Sequence, residues 1–167
     1  MTDKIIHIDH TNLNKYLKDT APYIFVDTAD IIPGKSGKGK KFFANNEWFF
    51  KCHFENNPLV PAVFQLESIM QTAALTIYTL DDPNIDFVYA QKFMDFEVKK
   101  PVYPGQIMEI ETNIISYKRG IIKAEGNAYI KEGNHTTLSC SAKFTMIVPG
   151  VLNKFSPTIR SSRNVRE

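Results

Sequence analysis

The chain has 167 residues, of which 43% are hydrophobic and 23% charged, and its formal net charge is +2. This is the balance of a soluble globular protein of about one domain, and twelve Phe, seven Tyr and one Trp supply enough core material to exclude intrinsic disorder. The longest apolar runs are the four residues 23–26 and 87–90, too short for a membrane-spanning helix, and a charge so close to zero gives no reason to expect a nucleic acid.

Residues 1–10 hold no hydrophobic stretch fit for a signal peptide. Two cysteines are too few for a disulfide scaffold, so both are expected as reduced thiols of a cytoplasmic protein. A short helix is expected over residues 13–18 and a strand over 23–31. The run Gly34-Lys-Ser-Gly-Lys-Gly-Lys-Lys41 nearly matches a phosphate-cradling loop, with Gly34, four residues, then Gly39-Lys40. Such a loop needs Ser or Thr next and a helix after it, whereas Lys41 and the non-periodic Phe42-Phe43-Ala44 follow. The run therefore reads as a hairpin-like connection and not as a nucleotide site.

Between residues 63 and 80 the apolar side chains recur at helical spacing, as Leu66, Ile69, Met70, Ala73, Ala74, Ile77 and Leu80. Phe64, Leu75 and Tyr78 widen the stripe almost all round, which predicts a helix buried on most sides. Pro61 suits its first turn and Asp81-Asp82-Pro83 ends it. Two further strands are expected over residues 87–91 and 94–99, ended by Pro101 and Pro104-Gly105. Residues 106–148 alternate with period two in three stretches and predict a three-stranded antiparallel meander. Its turns are Lys118-Arg119-Gly120 and Glu132-Gly133-Asn134. One long buried helix followed by a long antiparallel sheet is an α+β architecture, the sheet wrapped round the helix. Residues 1–150 make one domain. Residues 151–167 form a tail with Lys154, Arg160, Arg163 and Arg166 against Glu167, and a solvated tail is the simpler reading than a binding segment.

The anomaly is Glu67. It is the one formal charge in the 25 residues from Asn56 to Leu80, and it lies on the buried helix one turn before Gln71. Burial disfavours the charged carboxylate and raises its pKa, which prepares a carboxyl group to donate a proton near neutral pH. The plainer alternative is a side chain that reaches solvent at a subunit edge. His53, within Trp48-Phe-Phe-Lys-Cys-His-Phe54, is the second candidate; a lone histidine among aromatics is more often packed and hydrogen-bonded. Together the two supply a base and an acid if the fold brings them together. Cys52 is disfavoured as a nucleophile, because neighbours in an extended segment point to opposite faces. Metal binding also looks poor, with His7 and His10 near a free end, His135 in a turn and no Cys-x-x-Cys.

Residues 52–71, Cys-His-Phe-Glu-Asn-Asn-Pro-Leu-Val-Pro-Ala-Val-Phe-Gln-Leu-Glu-Ser-Ile-Met-Gln, resemble the active-site signature of the (3R)-hydroxyacyl-acyl carrier protein dehydratases of fatty acid synthesis. His53, Pro58, Pro61, Glu67 and Gln71 all match in spacing. Pro22-Tyr-Ile-Phe-Val-Asp27 looks like the family's early strand and Lys100-Pro-Val-Tyr-Pro-Gly105 like its later turn. The resemblance covers roughly residues 13–148 and implies a hotdog fold and a homodimer, often three dimers together. It places each active site at the dimer interface, the histidine from one subunit and the carboxylate from the other. It implies His53 as the base that removes the α-proton of a 3-hydroxyacyl thioester, and Glu67 as the acid that protonates the leaving hydroxyl. Substrate-binding positions would be Phe54, Pro61, Ala62, Val63 and Gln71. The N–H groups around Ala62 and Val63 would polarise the thioester carbonyl, and Gln71 would orient Glu67. No metal or organic cofactor is implied. The partner is acyl carrier protein bearing a phosphopantetheine-linked chain.

Several positions depart from the family pattern. Cys52 stands where Gly is usual and, with Trp48-Phe49-Phe50, is similar to the dehydratase–isomerase branch. That branch carries Asp on the helix, whereas Glu67 follows the dehydratase-only branch. Ala62 replaces a Gly and puts a Cβ where the thioester would approach. Glu55 replaces a Pro, and Asp19-Thr20-Ala21 replaces a His-Arg stretch. The chain thus looks like a divergent member, serving fatty acid or polyketide-like synthesis. The alternatives are a hotdog thioesterase and a catalytically silent acyl-binding protein. Lysines 35, 38, 40 and 41 could attract an acidic carrier protein or form a solvated loop.

Overall fold

In the computed structural model, which describes residues 4–133 and 135–155, the alternating stretches pair into one sheet around one long helix. In chain order the elements are β1 (Ile6–Ile8), α1 (Leu13–Tyr16), β2 (Thr28–Ile32), β3 (Ser36–Phe42), a 3-10 turn (Trp48–Lys51), α2 (Ala62–Tyr78), β4 (Tyr89–Val98), β5 (Ile107–Lys118), β6 (Ile121–Glu132), β7 (His135–Ile147) and α3 (Pro149–Leu152). The seven strands pair antiparallel in the order β1-β2-β3-β5-β6-β7-β4. The expected α+β architecture and the β5–β6–β7 meander are present. Arg119 and Gly120, both at positive φ, form the two-residue turn between β5 and β6, the turn whose twist suits a hairpin.

α2 packs across the concave face. Leu66, Ile69, Ala73 and Ile77 meet Met108, Ile110, Ile122, Ala128 and Phe144 in one core. A buried helix with Ser and Thr on it must satisfy their hydroxyls internally. Ser68 Oγ donates to Phe64 O at 2.9 Å, Thr72 Oγ1 to Ser68 O at 2.8 Å, and Thr76 Oγ1 to Ala73 O at 2.7 Å. The sheet lets the helix approach closely where its own side chains are absent. A Cβ on Gly126 would overlap Ile69 Cγ2 and stand 3.0 Å from Thr112 Cγ2. Gly126→Ala is therefore expected to cost about 1–3 kcal/mol of stability by overpacking, read as a lower denaturant midpoint with an unchanged slope.

Five expectations are corrected. The glycine–lysine run is no loose connection: residues 36–42 are β3, with Gly37 and Gly39 facing α2 and Lys38 and Lys40 facing out. Glycine is a poor strand former, but here the missing side chain makes room for Ile31 and Thr72. The early strand starts at Thr28, because residues 23–25 direct backbone groups to Gln71 on α2 and not to a ladder. The two strands expected over 87–91 and 94–99 are the single strand β4, with register shifts after Ala90 and Phe93. His7 lies on β1, bonded through Nδ1 to Asp30 at 2.7 Å, and His135 opens β7. Val151, at the start of the expected tail, packs into the core from α3; residues 156–167 of that tail lie outside the described residues. No helix among the described residues is long and apolar enough to cross a membrane.

Candidate active site

His53 sits where the chain leaves the 3-10 turn. Phe49 and Phe50 are buried and anchor that turn in the core. The N–H groups of Cys52 and His53 both donate to Phe49 O, at 3.1 and 2.9 Å. The segment is thus curled, and the extended geometry expected around Cys52 does not apply. Its thiol is exposed and directed at Phe49 O at 3.3 Å. His53 Nδ1 lies 3.1 Å from Leu59 O, while Leu59 N–H donates to His53 O at 2.9 Å. A carbonyl can only accept, so the network assigns the proton to Nδ1 and leaves the Nε2 lone pair free. The ring stacks on Phe54 with centroids 4.1 Å apart, and the His53–Phe54 peptide is cis.

Glu67 projects from α2, half-buried. Burial is the main cause that raises its pKa above the ordinary 4.5, and the negative charge of Asp19 pushes the same way. Hydrogen bonds from Gln71 and Tyr23 oppose them. Gln71 is held on three sides. Its Oε1 accepts Phe25 N–H at 2.8 Å, and its Nε2 donates to Tyr23 O at 2.9 Å and to Glu67 Oε1 at 3.1 Å. Tyr23 and Asp19, on the chain before β2, were not singled out from sequence as members of the site. Proximity to Glu67 depends on how that segment crosses α2, and only the match around Pro22 and Tyr23 hinted at it.

Pro61 caps α2, and its carbonyl accepts the N–H groups of Phe64 and Gln65 at 2.9 and 3.3 Å. The first turn leaves the N–H groups of Ala62 and Val63 without intrahelical acceptors, at the positive end of the helix dipole. Both residues are exposed, as is Phe54. The lysine cluster is placed differently from expectation. Lys38 pairs with Glu111 at 3.2 Å and Lys40 with Glu109 at 3.8 Å on the outer sheet face, and the buried Lys41 lies between Asp27 and Glu47 at 3.2 and 3.4 Å. Lys38, Lys40 and Lys41 thus each have a carboxylate partner within the chain. Clefts of about 310 Å³ beside Glu125 and about 420 Å³ beside Gln106 are lined by neither His53 nor Glu67. Among the described residues, no three His, Cys, Asp or Glu side chains cluster to hold a metal ion.

A single long helix cradled by an antiparallel sheet is the hotdog fold. Residues 25–136 match the FabA-like domain, and the chain belongs to this family. It is 31% identical to a 3-hydroxyacyl-[acyl-carrier-protein] dehydratase of Alkaliphilus metalliredigens over 84% of this chain and 93% of that protein. It is 34% identical to the protein of the same name from Caldicellulosiruptor saccharolyticus over 74% of this chain and 89% of that one. Among solved structures, an uncharacterised protein of Erwinia carotovora superposes with a TM-score of 0.55 at 17% identity, covering 89% of this chain and 98% of that one.

Proposed function

We propose that the chain is a 3-hydroxyacyl-[acyl-carrier-protein] dehydratase, which eliminates water from (3R)-3-hydroxyacyl thioesters to give trans-2-enoyl thioesters in fatty acid or polyketide-like synthesis. The observations that carry this reading are an imidazole whose Nδ1 is tied to Leu59 O and a helix carboxyl group whose pKa burial raises, at the two positions of the family signature. The names of its relatives point the same way.

The α-proton of the substrate passes to His53 Nε2. The electrons of that C–H bond form the C2–C3 double bond, and the C3–O bond breaks. The departing hydroxyl takes the proton of Glu67 and leaves as water, so base and acid each exchange one proton. Negative charge that develops on the thioester oxygen is met by the unpaired N–H groups of Ala62 and Val63. The thioester already acidifies its α-carbon, so this route calls on no cofactor.

The functional unit is a homodimer, in which His53 of one chain works with Glu67 of the other. Trp48, Phe54 and Val63 support it, because they are half exposed or more in one chain and flank the two groups in sequence. The edge strand β4 also exposes Tyr89, Phe93, Met94 and Val98, surface of the kind that another protein chain covers. Acyl carrier protein delivers the substrate, and the enzyme works in the cytoplasm. Purified protein is expected to convert acyl-carrier-bound 3-hydroxy substrates to enoyl products that mass spectrometry detects as a loss of water. Release of free thiol would instead identify a thioesterase, and tight acyl binding without turnover a silent binding protein.

A further inference from the structure

We propose that Tyr23 is a positioning residue for Glu67, whose hydroxyl donates to the carboxylate left when that acid gives up its proton. The inference rests on the reading of Glu67 as the acid and adds a residue to it.

Tyr23 is fixed from several directions. Its ring meets Phe25 edge-on at 5.2 Å and Phe64 at 6.5 Å. Its carbonyl accepts Gln71 Nε2, and two residues on, Phe25 N–H donates to Gln71 Oε1. This ties the segment to α2 in one register and places Tyr23 beside Glu67, with Gln71 Nε2 bridging the Tyr23 carbonyl and Glu67 Oε1. The same bonds settle which way Gln71 points. Phe25 N–H can only donate and Tyr23 C=O can only accept, so the Gln71 group facing Glu67 is the NH₂. Glu67 Oε1 is therefore an acceptor at all times, and the transferable proton belongs to Oε2. Burial, then the charge of Glu67, pushes Tyr23 up to about 12, so its hydroxyl stays a neutral donor at working pH.

The groups that face Glu67 pull in two directions. Gln71 on α2 and Tyr23 donate to it and favour the carboxylate; Asp19, beside Tyr23, is a like charge and disfavours it. Loss of the Tyr23 hydroxyl should make Glu67 hold its proton more tightly. Loss of the Asp19 charge should do the reverse.

Tyr23→Phe keeps the ring and its aromatic contacts. It is expected to lower kcat about tenfold, since a hydrogen bond to a developing charge is lost, and to leave KM within about twofold. The alkaline limb of the kcat profile, set by ionisation of Glu67, should move to higher pH, and in Asp19→Asn it should move lower. Carbon NMR of protein labelled at the glutamate carboxyl follows Glu67 without substrate and should give the same order. That titration still tests Tyr23 if the wild type shows no dehydratase turnover, which would sink the functional reading alone. An unshifted Glu67 titration in Tyr23→Phe would overturn the inference, as would a raised KM at unchanged kcat, which marks a substrate contact.

Discussion

His53→Ala is expected to lower kcat by about a thousandfold while the protein stays folded, since a positioned general base contributes about 10²–10⁴. The structure explains why the loss should fall on kcat. Nδ1 is tied to Leu59 O, so the ring contributes one basic nitrogen and its orientation is set before substrate arrives. Its neighbour Cys52 does not take its place, because the thiol is directed at Phe49 O. The structural cost is small, about 1 kcal/mol for one hydrogen bond to a backbone carbonyl. Phe49, Phe50 and the bonds from the Cys52 and His53 N–H groups still hold the turn. Steady-state turnover and a thermal melt on the same preparation check both parts. Turnover within tenfold of wild type would remove His53 from the mechanism.

The elements that were legible in the sequence are those whose side chains repeat with their own geometry. Residues 108–114 and 122–130 alternate because one face of the meander packs on α2 and the other is more exposed, and α2 announces itself by apolar residues at helical spacing. β3 hid because its inward positions are Gly37 and Gly39, which carry no hydrophobic signal. In retrospect the alternation of Gly37, Lys38, Gly39 and Lys40 was the strand pattern, written with absent side chains. Glu67 stood out as a lone charge in an apolar run, and His53 by its aromatic company. Tyr23 and Asp19 did not, because what matters about them is which turn of α2 they cross, and that is fixed by Gln71 from 48 residues away. The ion pairs of Lys38 and Lys40 were not legible for a similar reason: their carboxylate partners, Glu111 and Glu109, lie on a strand far along the chain.

Glu67→Gln should abolish dehydration to a similar degree and yet stabilise the protein at alkaline pH. The sign follows from linkage. Burial, the largest cause, raises the pKa of Glu67 in the folded chain above its ordinary 4.5. The folded state therefore binds this proton more tightly than the unfolded state, a contribution fully present below pH 4.5 and lost as pH rises through the folded value. Above that value a half-buried carboxylate works against folding. Glutamine has no such ionisation, and its amide oxygen can still accept from Gln71 Nε2. The melting temperature of Glu67→Gln should thus exceed that of wild type at pH 8, and the gap should close towards pH 4. The same variant tests where the site is built. Mixed and re-equilibrated with His53→Ala chains, it forms hybrid dimers in which one site pairs an intact His53 with an intact Glu67 from the other chain. Random pairing of two inactive proteins should then restore roughly a quarter of the wild-type activity. If both groups of a site came from one chain, every chain in the mixture would lack one of them, and no activity would return.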